Sequence, residues 1–232
     1  MVDRSTQQTL HAIEHPEDPA RLIRVRVEGP AGYVERGEDL GHVLVMHGFK
    51  GFMHWGFFPE LSRRIAEAGL VAVSLNSSGS GIGEDLENFT EEEAFAHNTY
   101  SKELEDLELV RAYVGSELGC VAHGRLGAFG HSRGGGMILL HAARHGDYRA
   151  LVTWAAIDEV DRFDAAAKAQ WRERGYTLIH NARTGQDHRL DLDVLEDVEA
   201  YRAELDILAA CSRISAPTLV VHGTADAAVE FA

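Results

Sequence analysis

The sequence predicts an α/β protein with a mostly parallel sheet covered by helices on both faces. Three observations predict it. Short apolar runs of strand length alternate along the chain with longer segments whose apolar residues recur every three or four positions. Some of those runs, such as His42 to Met46, are apolar almost throughout rather than on alternate residues, as strands buried on both faces are. The pentapeptide Gly130-His131-Ser132-Arg133-Gly134 lies between one such run and a helical pattern, which is a strand–turn–helix signature. With 232 residues, 45% hydrophobic and 25% charged, the chain is long enough to bury a substantial core as a single domain spanning 1–232.

In chain order, Arg21 to Val27 alternates as a half-exposed strand, and Tyr33 to Arg36 is expected to pair with it across the Gly29-Pro30 turn. His42 to Met46 reads as a buried strand leading into His47-Gly48-Phe49-Lys50-Gly51. A helix from about Phe57 to Ala68 follows and stops at Gly69, where a residue without Cβ accepts the left-handed turn. Leu70 to Leu75 is the next strand, followed by the loop NSSGSGIGED. Ser101 to Gly115 reads as a helix, with Leu104, Leu107 and Val110 on one face. After the run LGAF and the pentapeptide, MILLHAARH carries a helical apolar pattern. Ala150 to Ala156 and Thr218 to Val221, after Pro217, are the last two strands. The polar stretch between them, about 158–213, shows no sheet pattern. A helix is expected over Asp161 to Arg174, ending at Gly175. Leu192, Leu195, Val198, Tyr201, Leu205 and Leu208 mark one face of a second helix. The insertion is expected to form a cap over the site; the competing reading is that its helices merely cover the sheet.

Composition excludes several function classes. A formal net charge of -15 without a Lys/Arg cluster argues against nucleic acid as a partner. Cys120 and Cys211 have no metal-like spacing and read as free, buried thiols. No segment resembles a signal peptide or reaches membrane-spanning length, so a soluble cytoplasmic protein with no membrane partner is expected. Gly79, Gly81 and Gly83 follow a strand, but their G-x-G-x-G spacing is not that of a dinucleotide-binding turn. His141 and His145, one helical turn apart, could share a metal, but no third ligand is evident. Both also suit a helix C-terminus, where cations complement the dipole. No metal or organic cofactor is required.

Gly130 to Gly134 matches the G-x-S-x-G nucleophile elbow, in which a sharp turn lifts the serine hydroxyl above the sheet and glycines let the backbone pass. The order HGFKG, GHSRGG and VVHGTAD resembles the α/β-hydrolase fold, close to small esterases and to dienelactone-hydrolase-like and prolyl-oligopeptidase-like members, over roughly Val43 to Asp226. The resemblance implies a nucleophile after the fifth strand and an acid after a later one. Ser132 is then the nucleophile. The backbone N–H groups of Arg133 and Phe49 are the oxyanion donors, and Asp226 is the acid, with Asp158 as the alternative. The implied reaction is hydrolysis of a carboxylic ester or related acyl bond of a small molecule through an acyl-enzyme. Phe163, Trp171 and Tyr176 in the cap suggest an apolar or aromatic group in that substrate.

The family order is serine, acid, histidine, yet no histidine follows Asp226 in this sequence. His222 precedes the acid and reads as a turn residue, His180 and His188 belong to the cap, and His131 is the variable elbow position. The expectation is a chain truncated before its catalytic histidine and before the family's last strand and helix. The alternative is a non-catalytic binding protein on the same fold.

Overall fold

The computed structural model describes residues 5–33, 40–118 and 125–231. Its centre is a seven-stranded sheet. The strands are β1 (Thr6–His15), β2 (Asp18–Pro30), β3 (His42–Met46), β4 (Val71–Asn76), β5 (Leu126–His131), β6 (Ala150–Trp154) and β9 (Thr218–Val221), in spatial order β1-β2-β4-β3-β5-β6-β9. β2 pairs antiparallel with β1 and β4, whereas β4, β3, β5, β6 and β9 run parallel. Parallel neighbours need crossovers, supplied here by helices. These are α1 (Phe58–Glu67) between β3 and β4, α2 (Glu92–Ala96) and α3 (Tyr100–Ser116) between β4 and β5, and α4 (Arg133–His145) between β5 and β6. β4 is buried at every residue, as its position between two strands and two helical layers requires.

β2 pairs with β1 on one side and β4 on the other, and the pairing expected for Tyr33 to Arg36 falls, apart from Tyr33, outside the described residues. β1 escapes sequence detection because it is an edge strand, half-exposed and polar on alternate residues. Tyr33 is buried, with its hydroxyl 2.8 Å from Thr9 Oγ1, while Val34 to Arg36 lie outside the described residues.

The insertion does contain sheet. Between α5 (Ala165–Arg174) and α6 (Leu192–Ala200), β7 (Tyr176–Asn181) and β8 (Gln186–Asp191) form an antiparallel hairpin turning at Gly185, φ +73°. α5 begins at Ala165, not Asp161, because the Asp164 carboxylate caps it by accepting the Ala167 N–H. α6 ends at Ala200, and a new short helix, α7 (Ile207–Cys211), is capped by Asp206. The expected continuous apolar face therefore breaks: Leu205 is buried, but Tyr201 and Leu208 are exposed. Cys211 is an exposed free thiol rather than a buried one; Cys120 lies outside the described residues.

The main core lies between one face of the sheet and α3 and α4, a smaller cluster of Val45, Phe58, Ala72 and Phe129 fills the other face under α1, and a third, including Phe52, Phe89, Phe95, Trp171 and Leu190, seats the insertion on the loops above β3 and β4. The glycine loop after β4 packs closely: a Cβ on Gly79 would meet Asn98 and one on Gly81 would meet Phe95. Ser78 donates its N–H and hydroxyl to Asp106, whose carboxylate also pairs with Arg21. Among the described residues, no helix is long and apolar enough to cross a membrane.

Candidate active site

Ser132 stands at the junction of β5 and α4 with φ 55° and ψ −123°, a conformation that a residue with a Cβ adopts only when its surroundings enforce it. The enforcing bonds are visible. Its N–H donates to Trp154 O (2.9 Å), and its carbonyl accepts from Gly135 N–H (2.9 Å) and Ile157 N–H (3.2 Å). The turn is tight enough that a Cβ on Gly130 would sit 2.4 Å from Gly134 O, and one on Gly134 would sit 2.3 Å from His47 O. Although Ser132 is the residue before α4, its side chain caps no helix N–H, so a purely structural N-cap role does not account for it.

The loop after β3 lies against the nucleophile: a Cβ on Gly48 would come 2.8 Å from Ser132 Cβ. Lys50, at φ +59°, turns the loop, and Gly51 N–H closes it on Gly48 O (2.9 Å). Phe49 on this loop and Arg133 at the start of α4 both line the cavity above Ser132. As the first helical residue, Arg133 has an N–H without an intrahelical partner and sits at the positive end of the helix dipole. Its side chain is turned away from the reacting position and buried. Nε donates to Glu103 (3.0 Å), Nη2 donates to Asn98 O (3.0 Å), and the guanidinium stacks 3.8 Å over Tyr100 and 5.3 Å from Phe49. Burial pushes the Glu103 carboxyl above the usual range, and the Arg133 charge pulls against that. Sequence reading missed Glu103 and Asn98, because nothing in helical spacing distinguishes a buried glutamate from a solvated one.

The cavity measures about 150 Å³. Its floor is Ser132 and Arg133, and its roof comes from the insertion, with Phe163, Trp171, Leu190 and Leu195 facing inward. The insertion thus supplies one wall of the cavity beside Ser132. Phe163 and Trp171 take their anticipated places, edge to face at 5.1 Å, whereas Tyr176 lies beneath the Arg189 guanidinium (4.6 Å) and is not part of the lining. The cap hairpin is latched to the loop after β3 by two bonds through Lys50, which sequence reading also missed: Lys50 Nζ donates to His180 O (2.8 Å), and Arg183 Nη2 donates to Lys50 O (2.7 Å).

Asp226 lies on the turn after β9. Its Oδ1 accepts the N–H groups of Val229 (3.0 Å) and Ala228 (2.9 Å), and these bonds hold its pKa below the usual carboxylate value. The other oxygen is 3.9 Å from His222 Nε2, which itself donates to Val229 O (2.8 Å), so His222 is a turn residue. Asp158 is exposed and lines an open groove with residues 227–230 of the same turn. His180 pairs with Asp187 on the surface (2.7 Å), and His188 packs on Phe89 and Phe95. His131 is wedged among Phe57, Phe58 and Trp154, where burial lowers its pKa against the opposing charge of Asp226. Among the described residues, no histidine hydrogen-bonds to Ser132 Oγ. The one group of three metal-ligating side chains there lies at the far end of α4.

Strand order and the strained serine between β5 and α4 define an α/β-hydrolase fold. The chain belongs to the prolyl oligopeptidase family, whose profile matches residues 55–232, and it is a hydrolase. Several solved structures share the fold. Est1E from Butyrivibrio proteoclasticus with ferulic acid bound superposes with a TM-score of 0.68 at 20% identity, covering 90% of this chain and 78% of that one. The esterase domain of a Rhodothermus marinus protein gives 0.62 at 16% identity, covering 97% and 80%. The α/β hydrolase GrgF from a Penicillium species gives 0.68 at 14% identity, covering 96% and 82%. No curated protein matches the chain in sequence.

Proposed function

We propose that the protein is a serine hydrolase that cleaves carboxylic esters through an acyl-enzyme formed on Ser132. The observation that carries this reading is the enforced backbone of Ser132 in the lining of a partly open, largely apolar cavity, with no side-chain cap bond to its helix. In the first step the Ser132 oxygen attacks the acyl carbonyl, and the developing oxyanion is met by the Arg133 and Phe49 N–H groups. One such donor contributes about 3 kcal/mol of transition-state stabilisation. The base takes the Ser132 hydroxyl proton and passes it to the departing alkoxide or phenoxide, and water then attacks the acyl-enzyme, giving a proton back to Ser132 through the same base as the carboxylic acid is released. Asp226 is assigned as the acid that orients the base; the Asp226 oxygen left free by the turn bonds is the one available to an imidazole.

A cavity of about 150 Å³ is the size that accommodates a benzene ring. With Phe163 and Trp171 in its roof, it suits an aromatic or compact apolar group in the ester, and the ferulic acid held by Est1E is consistent with that class. Labelling with a fluorophosphonate tests the mechanism: covalent modification in the wild type and none in Ser132→Ala supports it. Absence of labelling at Ser132 leaves the second reading, a ligand-binding protein on the same fold. A panel of aryl and acetate esters tests the specificity, which fails if aryl esters are turned over no faster.

A further inference from the structure

The C-terminal end of α4 carries a cluster of ionisable side chains that takes no part in the chemistry at Ser132. His141 and His145 project from successive turns of α4, their rings 4.5 Å apart, and α3 alongside supplies Glu108. Oε1 of Glu108 lies 2.7 Å from His145 Nε2 and 3.4 Å from His141 Nε2, and the three ligand atoms all fall within 4.8 Å of one another. Zinc binds imidazole nitrogen and carboxylate oxygen at about 2.0–2.1 Å, so ligand atoms on a tetrahedron are about 3.3 Å apart. The Glu108–His141 edge already has that length. The Glu108–His145 edge needs to open by roughly 0.6 Å to reach it, which the partly exposed Glu108 carboxylate can do by rotation.

His141 supplies the more telling detail. It is completely buried, yet its Nε2 makes no well-formed hydrogen bond and has Glu108 Oε1 only at 3.4 Å, an arrangement that costs stability unless something else takes the lone pair. Its other nitrogen, Nδ1, is 2.8 Å from the Tyr148 hydroxyl. Metal-bound imidazoles are held in this way: one nitrogen donates to an oxygen that fixes ring and tautomer, and the other turns its lone pair to the ion. The neighbouring Arg111 charge is already met by Asp147.

We propose that Glu108, His141 and His145 form a binding site for a divalent metal ion of the zinc type, with water completing the coordination on the side where Glu108 and His145 reach solvent. α4 places the two histidines about 14 and 20 Å along the helix from Ser132, at 1.5 Å per residue. The ion therefore ties α3 to α4 and does not enter the hydrolysis. Zn²⁺ alone, titrated calorimetrically into the chelator-treated full chain, is expected to bind at one equivalent and to raise the melting temperature. His145→Gln and Glu108→Gln should each weaken binding by about 10-fold or more and abolish the thermal shift. His180→Gln, which removes an exposed His–Asp pair elsewhere, should leave both intact. Fluorophosphonate labelling should be the same with and without the ion. Failure to saturate at one equivalent, or wild-type affinity in both His145→Gln and Glu108→Gln, overturns the proposal.

Discussion

Gly134→Ala tests the claim that the elbow is held by main-chain contact. A Cβ at this position would stand 2.3 Å from the His47 carbonyl oxygen and 2.7 Å from that of Met46. Close carbon–oxygen contacts settle at about 3.3–3.6 Å, so the overlap is on the order of 1 Å. Both opposing atoms are backbone, and no rotamer change relieves them: the first turn of α4 must separate from the end of β3. Overpacking of this kind costs about 1–3 kcal/mol. In a chain of this size each kcal/mol moves the melting temperature by about 2–4 °C, so a fall of about 2–12 °C is expected. The same separation moves Ser132 relative to the Phe49 loop, and a misplacement of about 1 Å can slow chemistry by about 10²-fold. Gly115→Ala is the control. Gly115 lies inside α3, and a methyl group added there would meet nothing within 4 Å, so alanine should stabilise by about 0.5–1 kcal/mol. Thermal unfolding by circular dichroism and the rate of fluorophosphonate labelling are compared across the three proteins. If Gly134→Ala melts and labels as the wild type does, the reasoning is refuted.

Three further outcomes are expected. Burial, with a smaller push from the Arg133 charge, outweighs the hydrogen bond to Gly48 O and holds His47 at about 4. The unfolded chain therefore binds the extra proton first, and about 3 kcal/mol of stability present above pH 6.5 is lost as pH falls toward 4. Chemical denaturation across that range should show a shallower decline in His47→Gln, and an unchanged decline would contradict the assignment. For His97, burial is opposed and outweighed by Asp193, bonded to its Nδ1 at 2.9 Å, and by Asp191, so its pKa is raised. This cap contact contributes fully below pH 6.5 and is lost as pH rises through the folded value. The melting-temperature difference between wild type and His97→Gln should accordingly shrink as pH rises above 6.5. Arg183→Ala removes the bond to Lys50 O and the stacking 4.5 Å over Trp55. A loss of about 1–2 kcal/mol in unfolding free energy and slower labelling of Ser132 should follow, and undiminished labelling would show that the hairpin does not position the loop.

The parallel centre of the sheet was legible because β3, β4 and β6 carry near-continuous apolar runs between glycine and proline signals, and the elbow because its chemistry demands glycines at fixed positions. β1 and the β7–β8 hairpin were not. Each is largely exposed and carries polar residues on both faces, so Gln7, His11, Asp187 and Arg189 dilute the alternation. A hint lay in Gly185 and in the alternation of Tyr176 to Asn181, which the neighbouring helical pattern outweighed. At the site, Ser132, Arg133 and Phe49 were readable from one short motif each. Glu103, Asn98, Lys50 and Arg183 were not, because each acts on a partner far along the chain, and pairing of that kind leaves no trace in local spacing.

The end of β6 is a joint with two clients. Trp154 O and Ile157 N–H fasten Ser132, while Ala155 N–H, between them, reaches the other way to Val221 O (2.8 Å), just before the turn that carries Asp226. Ala155 is itself at φ 49°, so both sides of the joint are held in conformations the chain would not choose alone. The spacing between the elbow and the Asp226 turn is thereby set as the sheet folds, before any ligand arrives. That makes the sheet a fixed jig, in which the pairing of β6 with β9 sets how far the serine stands from the Asp226 turn.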